Sequence, residues 1–390
     1  MLFPMRIFTC TPVAFGGGPD FFTRDSGLLC RGLQAIGVFS RAVMPGAQMP
    51  EDQDDLIRTE YLNLESAEWW RAQRLDGVVL YAWGRPRFRK VAAAIREAGI
   101  FLVLNQDNGG LVSPLAGFRG WLSEQRNLTG GGTAFIMQVV KGLSYGLLVT
   151  DPLRARHLKQ GDLIACVSPK AADHYRRLCR IYGGRMLAGR VRVIPHAVES
   201  RFYDTGEARL RRIACVGRWQ DAVQKRPWLL IQVLDQLLDC DTGVEVLVAG
   251  KPDDTMLRWH RDLPESRRTR VVLAGMMGRD ELAKLLIRSQ IFYSPSAYES
   301  FGIAAAEALC AGCSVVASRS VSMNAFDWFV SKNSGQLTTR DDAISHVAAI
   351  LAELKSWDTG QRSPQAISAI WRERLHADRV ADSIVKMISR

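Results

Sequence analysis

Short apolar runs of β type alternate with segments of helical period along most of this chain, and the alternation lapses once, at "PHAVESRFYDTGEA" (195–208). Such alternation confines the chain to parallel sheets flanked by helices, because parallel neighbours need a crossover between them. The first series comprises "RIFTC" (6–10), "VFSRAVM" (38–44), "GVVLYAW" (77–83), "IFLVLN" (100–105), "LIACV" (163–167) and "VRVIP" (191–195), with helical patterns at 21–36, 86–98 and 169–182. The second comprises "RIACVGR" (212–218), "VEVLVAG" (244–250), "TRVVLAG" (269–275), "IFYSP" (291–295) and "SVVAS" (314–318), with helices near 226–239, at 279–289 and from about 302. At 390 residues the chain exceeds one ordinary core. Two sheets joined at 195–208 predict two lobes that face a central cleft, here bounded as 1–200 and 201–370. The segment 106–162 follows neither period clearly, and its glycine groups at 109–110 and 130–132 predict mobile loops.

In open α/β sheets ligands gather beyond the carboxyl ends of the strands, so the loops there are where chemistry is expected. The first is "TPVAFGGGPDFFTRDSG" (11–27), a strand, Gly16–Gly18, and a helix expected to begin near Phe21. That order presents backbone N–H groups to an anion. It is neither a Walker A sequence nor G-x-G-x-x-G, and a plain glycine turn reads equally well. The second is "CVGRWQDAVQKRPWLL" (215–230), where Arg218 could fork onto two diphosphate oxygens and Lys225 act as a point charge. Basic residues on a surface loop are the ordinary alternative. "YAW" (81–83) and "NQDN" (105–108) also follow strands, which brings Tyr81, Asp107 and Asn108 to the presumed cleft. His196 either joins them or packs in the linker.

The third loop, "SAYESFGIAAAEALCAG" (296–312), carries Glu299 and Glu307 across an expected helix start, with Ser300 as N-cap and Gly302 allowing close approach. Eight residues of one helix span about 12 Å. A glycosidase pair needs roughly 5–9.5 Å, so the two acids read as separate jobs. A carboxylate accepts two hydrogen bonds from vicinal hydroxyls, which makes a ribose or a sugar a natural partner. The helix N-terminus between them would draw a phosphate.

Composition narrows the classes. Apolar residues at 47% and charged residues at 23% describe a globular domain rather than a disordered or fibrous one. The apolar run near 134–149 is broken by Lys141 and reads as too short to span a bilayer. "MLFPMRIFTC" lacks the pattern of a signal peptide. Eight scattered cysteines read as reduced thiols of a cytoplasmic protein, and Cys310-x-x-Cys313 lacks the partners of a zinc site. "EDQDDL" (51–56) reads as a solvated acidic run. The net charge of +11 concentrates in 84–99 and 174–193, where Arg176, Arg177, Arg180, Arg185, Arg190 and Arg192 suit either a solvated face or an anionic surface. Without interleaved aromatics they do not suit nucleic acid.

"CVSPKAADHY…VRVIPHAVESRF", "VGR…K", "VLVAGKPDD" and "SPSAYESFGIAAAEALCAGCSVVAS", in this order, resemble the GT-B glycosyltransferases of family 4. The resemblance covers almost all of the second half. It implies an α/β fold of GT-B type, two Rossmann-like lobes, and a C-terminal helix (371–390) that packs back on the first. It implies a retaining, metal-independent transfer from a nucleotide-diphosphate sugar to a hydroxyl acceptor, with no other cofactor. Glu299 and Glu307 match the E-x7-E element, the first toward the donor sugar and the second on the nucleotide ribose. Arg218 and Lys225 look like the diphosphate pair, although the gap between them is two residues longer than usual. The implied catalytic set is Arg218, Lys225 and Glu299. Donor binding adds Gly17, Gly18, Ser300, Phe301, Gly302, Ile303 and Glu307. The usual histidine after a middle strand is missing, so Asp107, Asn108 and His196 stand for the acceptor side. Expected partners are a nucleotide sugar, a glycan, lipid-linked or small-molecule acceptor, and an anionic membrane met through 174–193. Another GT-B enzyme, an epimerase or phosphorylase, and a non-catalytic nucleotide-sugar-binding subunit are the alternatives.

Overall fold

The computed structural model describes residues 5–320, 322 and 325–389. The first four residues of the N-terminal segment discussed above, and Arg390, lie outside it. The chain divides into two compact units, Met1–Glu199 with Arg374–Arg390, and Ser200–Glu373.

Among its described residues the first unit holds seven strands: β1 (Ile7–Cys10), β2 (Ala42–Pro45), β3 (Leu56–Thr59), β4 (Gly77–Tyr81), β5 (Phe101–Gln106), β6 (Leu163–Cys166) and β7 (Val191–Val193). They pair in parallel in the order β3-β2-β1-β4-β5-β6-β7. β1, β2, β4 and β6 are buried along their whole length, which is why they read as unbroken apolar runs. Alternate residues nonetheless serve opposite faces. Phe8, Cys10, Val78, Leu80, Leu102 and Leu104 enter one core cluster. Ile7, Val79, Tyr81 and Val103 enter another, where helix Asp25–Ala35 contributes Leu29 and Leu33 and helix Ala377–Ile388 contributes Val380, Ala381 and Ile384. Gly32 explains how closely these helices approach. A Cβ there would meet the Ala377 carbonyl oxygen at 2.3 Å.

The second unit holds β8 (Leu210–Val216), β9 (Glu245–Ala249), β10 (Val271–Gly275), β11 (Ser289–Ser294), β12 (Ser314–Ala317) and β13 (Gly335–Leu337). Their order is β10-β9-β8-β11-β12-β13, again parallel. Strand order reverses direction between β1 and β4 in one sheet and between β8 and β11 in the other. Those two points are where a doubly wound sheet opens a crevice beyond its strand ends.

Several expectations are corrected. The predicted strand 38–44 begins at Ala42, with only a bridge between Arg6 and Phe39 before it. Helix 21–36 begins at Asp25, after a 3-10 turn over Pro19–Thr23. The acidic run 51–56 is not simply solvated, because it leads into β3. Asp52 forms an ion pair with Arg58 at 2.6 Å, with side chains 0% and 1% exposed. Segment 106–162 is mostly helical, over Phe118–Thr129 and a continuous Gly132–Leu158. That second helix is long and apolar enough to cross a membrane by length and composition; the apolar run near 134–149 continues helically through Lys141, contrary to the expectation of too short a run. The 195–208 stretch is not a loose linker either. Val198 accepts from Ala377 and donates to the Leu375 carbonyl, and Phe202 is fully buried. Finally, 371–390 is not one helix. Pro364–Leu375 ends before His376, and Trp371 packs with Trp328 and Phe329 of the second unit.

Candidate functional site

The switch point of the second sheet gathers four of the charged residues singled out in the sequence, Arg218, Lys225, Glu299 and Glu307. The loop after β8 bears Arg218 and Lys225, and the loop after β11 bears Glu299 and Ser300. Gln224 ties these loops together: its backbone carbonyl accepts from Ala297 N at 2.8 Å, and its side-chain amide donates to the Tyr298 carbonyl at 3.1 Å. This brings Lys225 Nζ onto Glu299 Oε1 as a mostly buried ion pair. Arg218 stays open, with a side chain 79% exposed, Gln224 Oε1 at 3.4 Å and Asp221 at 3.8 Å.

Helix Ile303–Cys310 starts beyond these groups. Ser300 is not its N-cap; that position belongs to Gly302, in the left-handed region at φ 81°. A left-handed residue suits glycine, since a side chain there is strained. Among the described residues no side chain caps this helix, whose first N–H groups lack intrahelical acceptors and whose start is its positive end. Phe301 is turned inward, its ring 5.4 Å from Phe329 and 2% exposed, so only its backbone can serve a ligand. Ile303 remains half-buried at the helix start. Glu307, 3% exposed, accepts from Arg279 Nη2 at 2.6 Å. Arg279 itself lies over the Phe202 ring at 4.9 Å.

Two arginines of this site escaped the sequence reading. Arg279 opens a helix after β10, and only its Gly-Arg-Asp context marked a helix start. Arg226 follows Lys225 with φ 50° and is buried, donating to the Pro295 carbonyl, Asp341 and Ser318. Burial pushes the Asp341 carboxyl up, but hydrogen bonds from His346 and Arg226 outweigh it and hold the group below the usual carboxylate range. A buried guanidinium with three acceptors fixes the backbone between Arg218 and the helix that follows. No signal separates such an anchor from a surface arginine in one sequence.

The switch point of the first sheet is built differently. Gly17 is buried, and a Cβ there would meet Asp52 Oδ1 at 2.1 Å and Leu56 Cδ2 at 2.3 Å. Packing over the Asp52–Arg58 pair therefore accounts for this glycine. Arg58 also holds the Phe15 carbonyl at 2.8 Å, and its hydrogen bond to Asp52 keeps that carboxyl below its ordinary range. The glycine loop does not run directly into a helix, since Gly18 precedes the 3-10 turn. Asn108 is a bracket. Its amide donates to the Trp83 carbonyl at 3.1 Å, while its oxygen accepts from Gly110 N and Tyr175 Oη. Tyr81 is buried in the core.

Asp107 and His196 lie close enough to interact electrostatically, near the helix that starts at Asp25. His196, 5% exposed, sits 3.6 Å from Asp25 Oδ1. Burial pushes the Asp107 carboxyl up to about 6, against the lowering influence of His196, with Asp25 raising it further. The sequence reading missed Asp25, which adopts φ 49°. Beside this group Gln106 is fully buried, and its side-chain amide has no partner among the described residues.

The remaining candidates serve packing. Cys310 and Cys313 are buried, and Cys313 Sγ donates to the Leu286 carbonyl at 2.9 Å. Among the described residues no cluster of three or more His, Cys, Asp and Glu is placed to hold a metal ion.

Residues 211–356 match the model of the family described as glycosyl transferases group 1. No curated protein matched the chain by sequence. Solved structures match over its whole length. The Anabaena protein HepE in complex with UDP is 16% identical, with 99% of this chain and 100% of that one covered and a TM-score of 0.65. The lipopolysaccharide outer core galactosyltransferase WaaB is 12% identical, with 99% of each chain covered and a TM-score of 0.64. Sucrose-phosphate synthase from Thermosynechococcus elongatus is 15% identical, with 98% of each covered and a TM-score of 0.62. The chain thus has the GT-B fold, two Rossmann-like parallel-sheet units, and its segment 211–356 carries the glycosyl transferases group 1 signature.

Proposed function

We propose that this protein is a retaining glycosyltransferase of family 4 that moves a sugar from a nucleoside-diphosphate sugar to an acceptor hydroxyl, without a metal cofactor. The observation that carries the reading is the pairing of Lys225 with Glu299, and of Arg279 with Glu307, around an uncapped helix N-terminus at a switch point. HepE has been solved with UDP and with UDP-glucose, which supports a nucleotide sugar as the donor here.

In this reading the donor diphosphate takes Lys225 away from Glu299 and lies against Arg218 and the helix N-terminus. Glu299 is thereby freed to accept from sugar hydroxyls, and Glu307, oriented by Arg279, accepts from the ribose. Negative charge grows on the leaving diphosphate as the sugar bond breaks, so cations already in position lower the barrier. The leaving phosphate helps take the acceptor proton. Asp107 and His196 are proposed for the acceptor side; Asn108 keeps only its role in shaping that loop. Eight unpaired thiols, seven of them buried, support a reducing, cytoplasmic setting.

Thermal shift with UDP, GDP and ADP tests the donor site; stabilisation by none of them would sink it. Mass spectrometry of products from a donor panel then reads the transfer itself. Full activity in excess chelator is expected, and loss of activity restored by a divalent cation would overturn the metal-free part.

A further inference from the structure

We propose that the helix Gly132–Leu158, together with an arginine-lined groove at its start, is a docking face for the surface of an anionic phospholipid bilayer. The proposal deepens the reading of 174–193 as membrane-facing. It moves the apolar contact to a segment for which the sequence alone suggested no such role.

The helix is held along one face. Trp121 packs against Gly142 so tightly that a Cβ there would sit 2.3 Å from its ring. Tyr182 Oη donates to the Leu147 carbonyl at 3.2 Å. The C-terminal end is anchored in the unit by Asp151, which pairs with Arg154 and accepts from Ser113, and by fully buried His157 and Leu158. A helix tied down along its side and at one end lies on a surface and does not span a bilayer.

The other face is bare. Ile136, Met137, Val140, Leu143, Tyr145 and Leu148 are exposed, Met137 to 72% and Leu148 to 78%. Ile181, on the helix that bears Tyr182, and Met186, just past the break in that helix at Gly184, are exposed as well. An apolar face of this extent calls for a covering partner.

The charge around it selects the partner. Between 117 and 150 the basic residues are Arg119, Arg126 and Lys141, and the sole acid, Glu124, is buried. Segment 174–193 has no acid at all. Arg119 and Arg126 line an open groove of about 530 Å³ with Phe135 and the backbone of Gly131 and Gly132. The positive end of the long helix faces that groove, which suits a lipid phosphate. Apolar side chains flanked by cations match acyl chains beneath anionic headgroups.

The test floats the full-length protein with vesicles of phosphatidylcholine alone, or of phosphatidylcholine mixed with phosphatidylglycerol. Wild type is expected to bind the mixed vesicles, with binding weakened by salt and unaffected by inorganic phosphate in the buffer. Ile136→Ser, Met137→Ser and Leu148→Ser together should lower binding at least about a hundredfold, and Arg119→Gln with Arg126→Gln about thirtyfold. All five positions are surface sites, so melting temperature and nucleotide thermal shift should stay at wild-type values. Wild-type binding by the serine variant, with loss confined to Arg180→Gln and Arg185→Gln, would overturn the helix and leave the arginine-rich segment as the contact. No vesicle binding by any form would overturn both. A wild-type dimer in light scattering that the serine variant abolishes, without vesicle binding, would make this face a subunit interface and refute the proposal.

Discussion

The two sheets share a parallel, doubly wound design, yet their switch points are furnished with different chemistry. At the second, opposite charges from three loops pair beside an uncapped helix: Lys225 with Glu299, and Arg279 with Glu307. At the first, most polar groups serve the loops themselves, as Asn108 does for Trp83 and Gly110 and Arg58 for Phe15. Among the described residues, Asp107, His196 and Asp25 come together there as a separate polar group. Paired charges that a ligand can pull apart suit a diphosphate, whose charge is the same in every donor. In the proposed reading the acceptor side meets ligands that share only a hydroxyl, which suits less fixed charge.

The contrast breaks first at Lys225. Lys225→Ala should cut turnover about a hundred- to a thousandfold, the range seen when one preorganised electrostatic partner is removed; activity near wild type in a steady-state assay would remove the pair from the mechanism. The counterpart in the first unit is structural. Asp52→Ala leaves the Arg58 guanidinium enclosed without its partner and should cost about 3 kcal/mol in urea unfolding.

Asp107 sharpens the comparison through pH. Its folded carboxyl is raised from 3.8 to about 6, so the folded protein binds its proton more tightly than the unfolded chain. Its contribution to stability is therefore harmless below about 4, falls as pH rises through about 6, and is fully unfavourable above that. Asp107→Asn should raise stability at pH 7 by about 2–3 kcal/mol and flatten that slope in melts between pH 4 and 8. The smallest effect is at Glu307. Its conversion to Gln keeps the shape but weakens the hydrogen bonds to Arg279 and to the proposed ribose. Nucleotide affinity by calorimetry should fall about tenfold.

Legibility followed the same divide. The alternation of β-type and helical periods gave the two sheets, because strands buried on both faces must be apolar throughout. The loop after β11 was readable because Gly302 and the two glutamates lie within one short stretch. Arg279 and Arg226 were not, since each gains meaning only from a partner far away in sequence, Glu307 and Asp341. Ser300 misled as an N-cap because capping preference is local, whereas the helix start was set by Gly302 and by Phe301 packing on Phe329.

The helix Gly132–Leu158, whose apolar side chains before Asp151 stay exposed, shows the opposite error. Its residues are apolar enough for a core, and composition cannot say whether anything covers them.

The sequence by itself determined that this chain forms two parallel α/β sheets, and that their strand ends carry glycines, carboxylates and cations in a particular order. Periodicity and turn chemistry act over a few residues, so they survive in one dimension. Tertiary structure alone decided which carboxylate meets which cation, that Gly17 is explained by a buried ion pair, and which apolar helix stays bare. Those outcomes depend on where distant segments pack, and burial is what turns a charge or a methyl group from surface decoration into an energy.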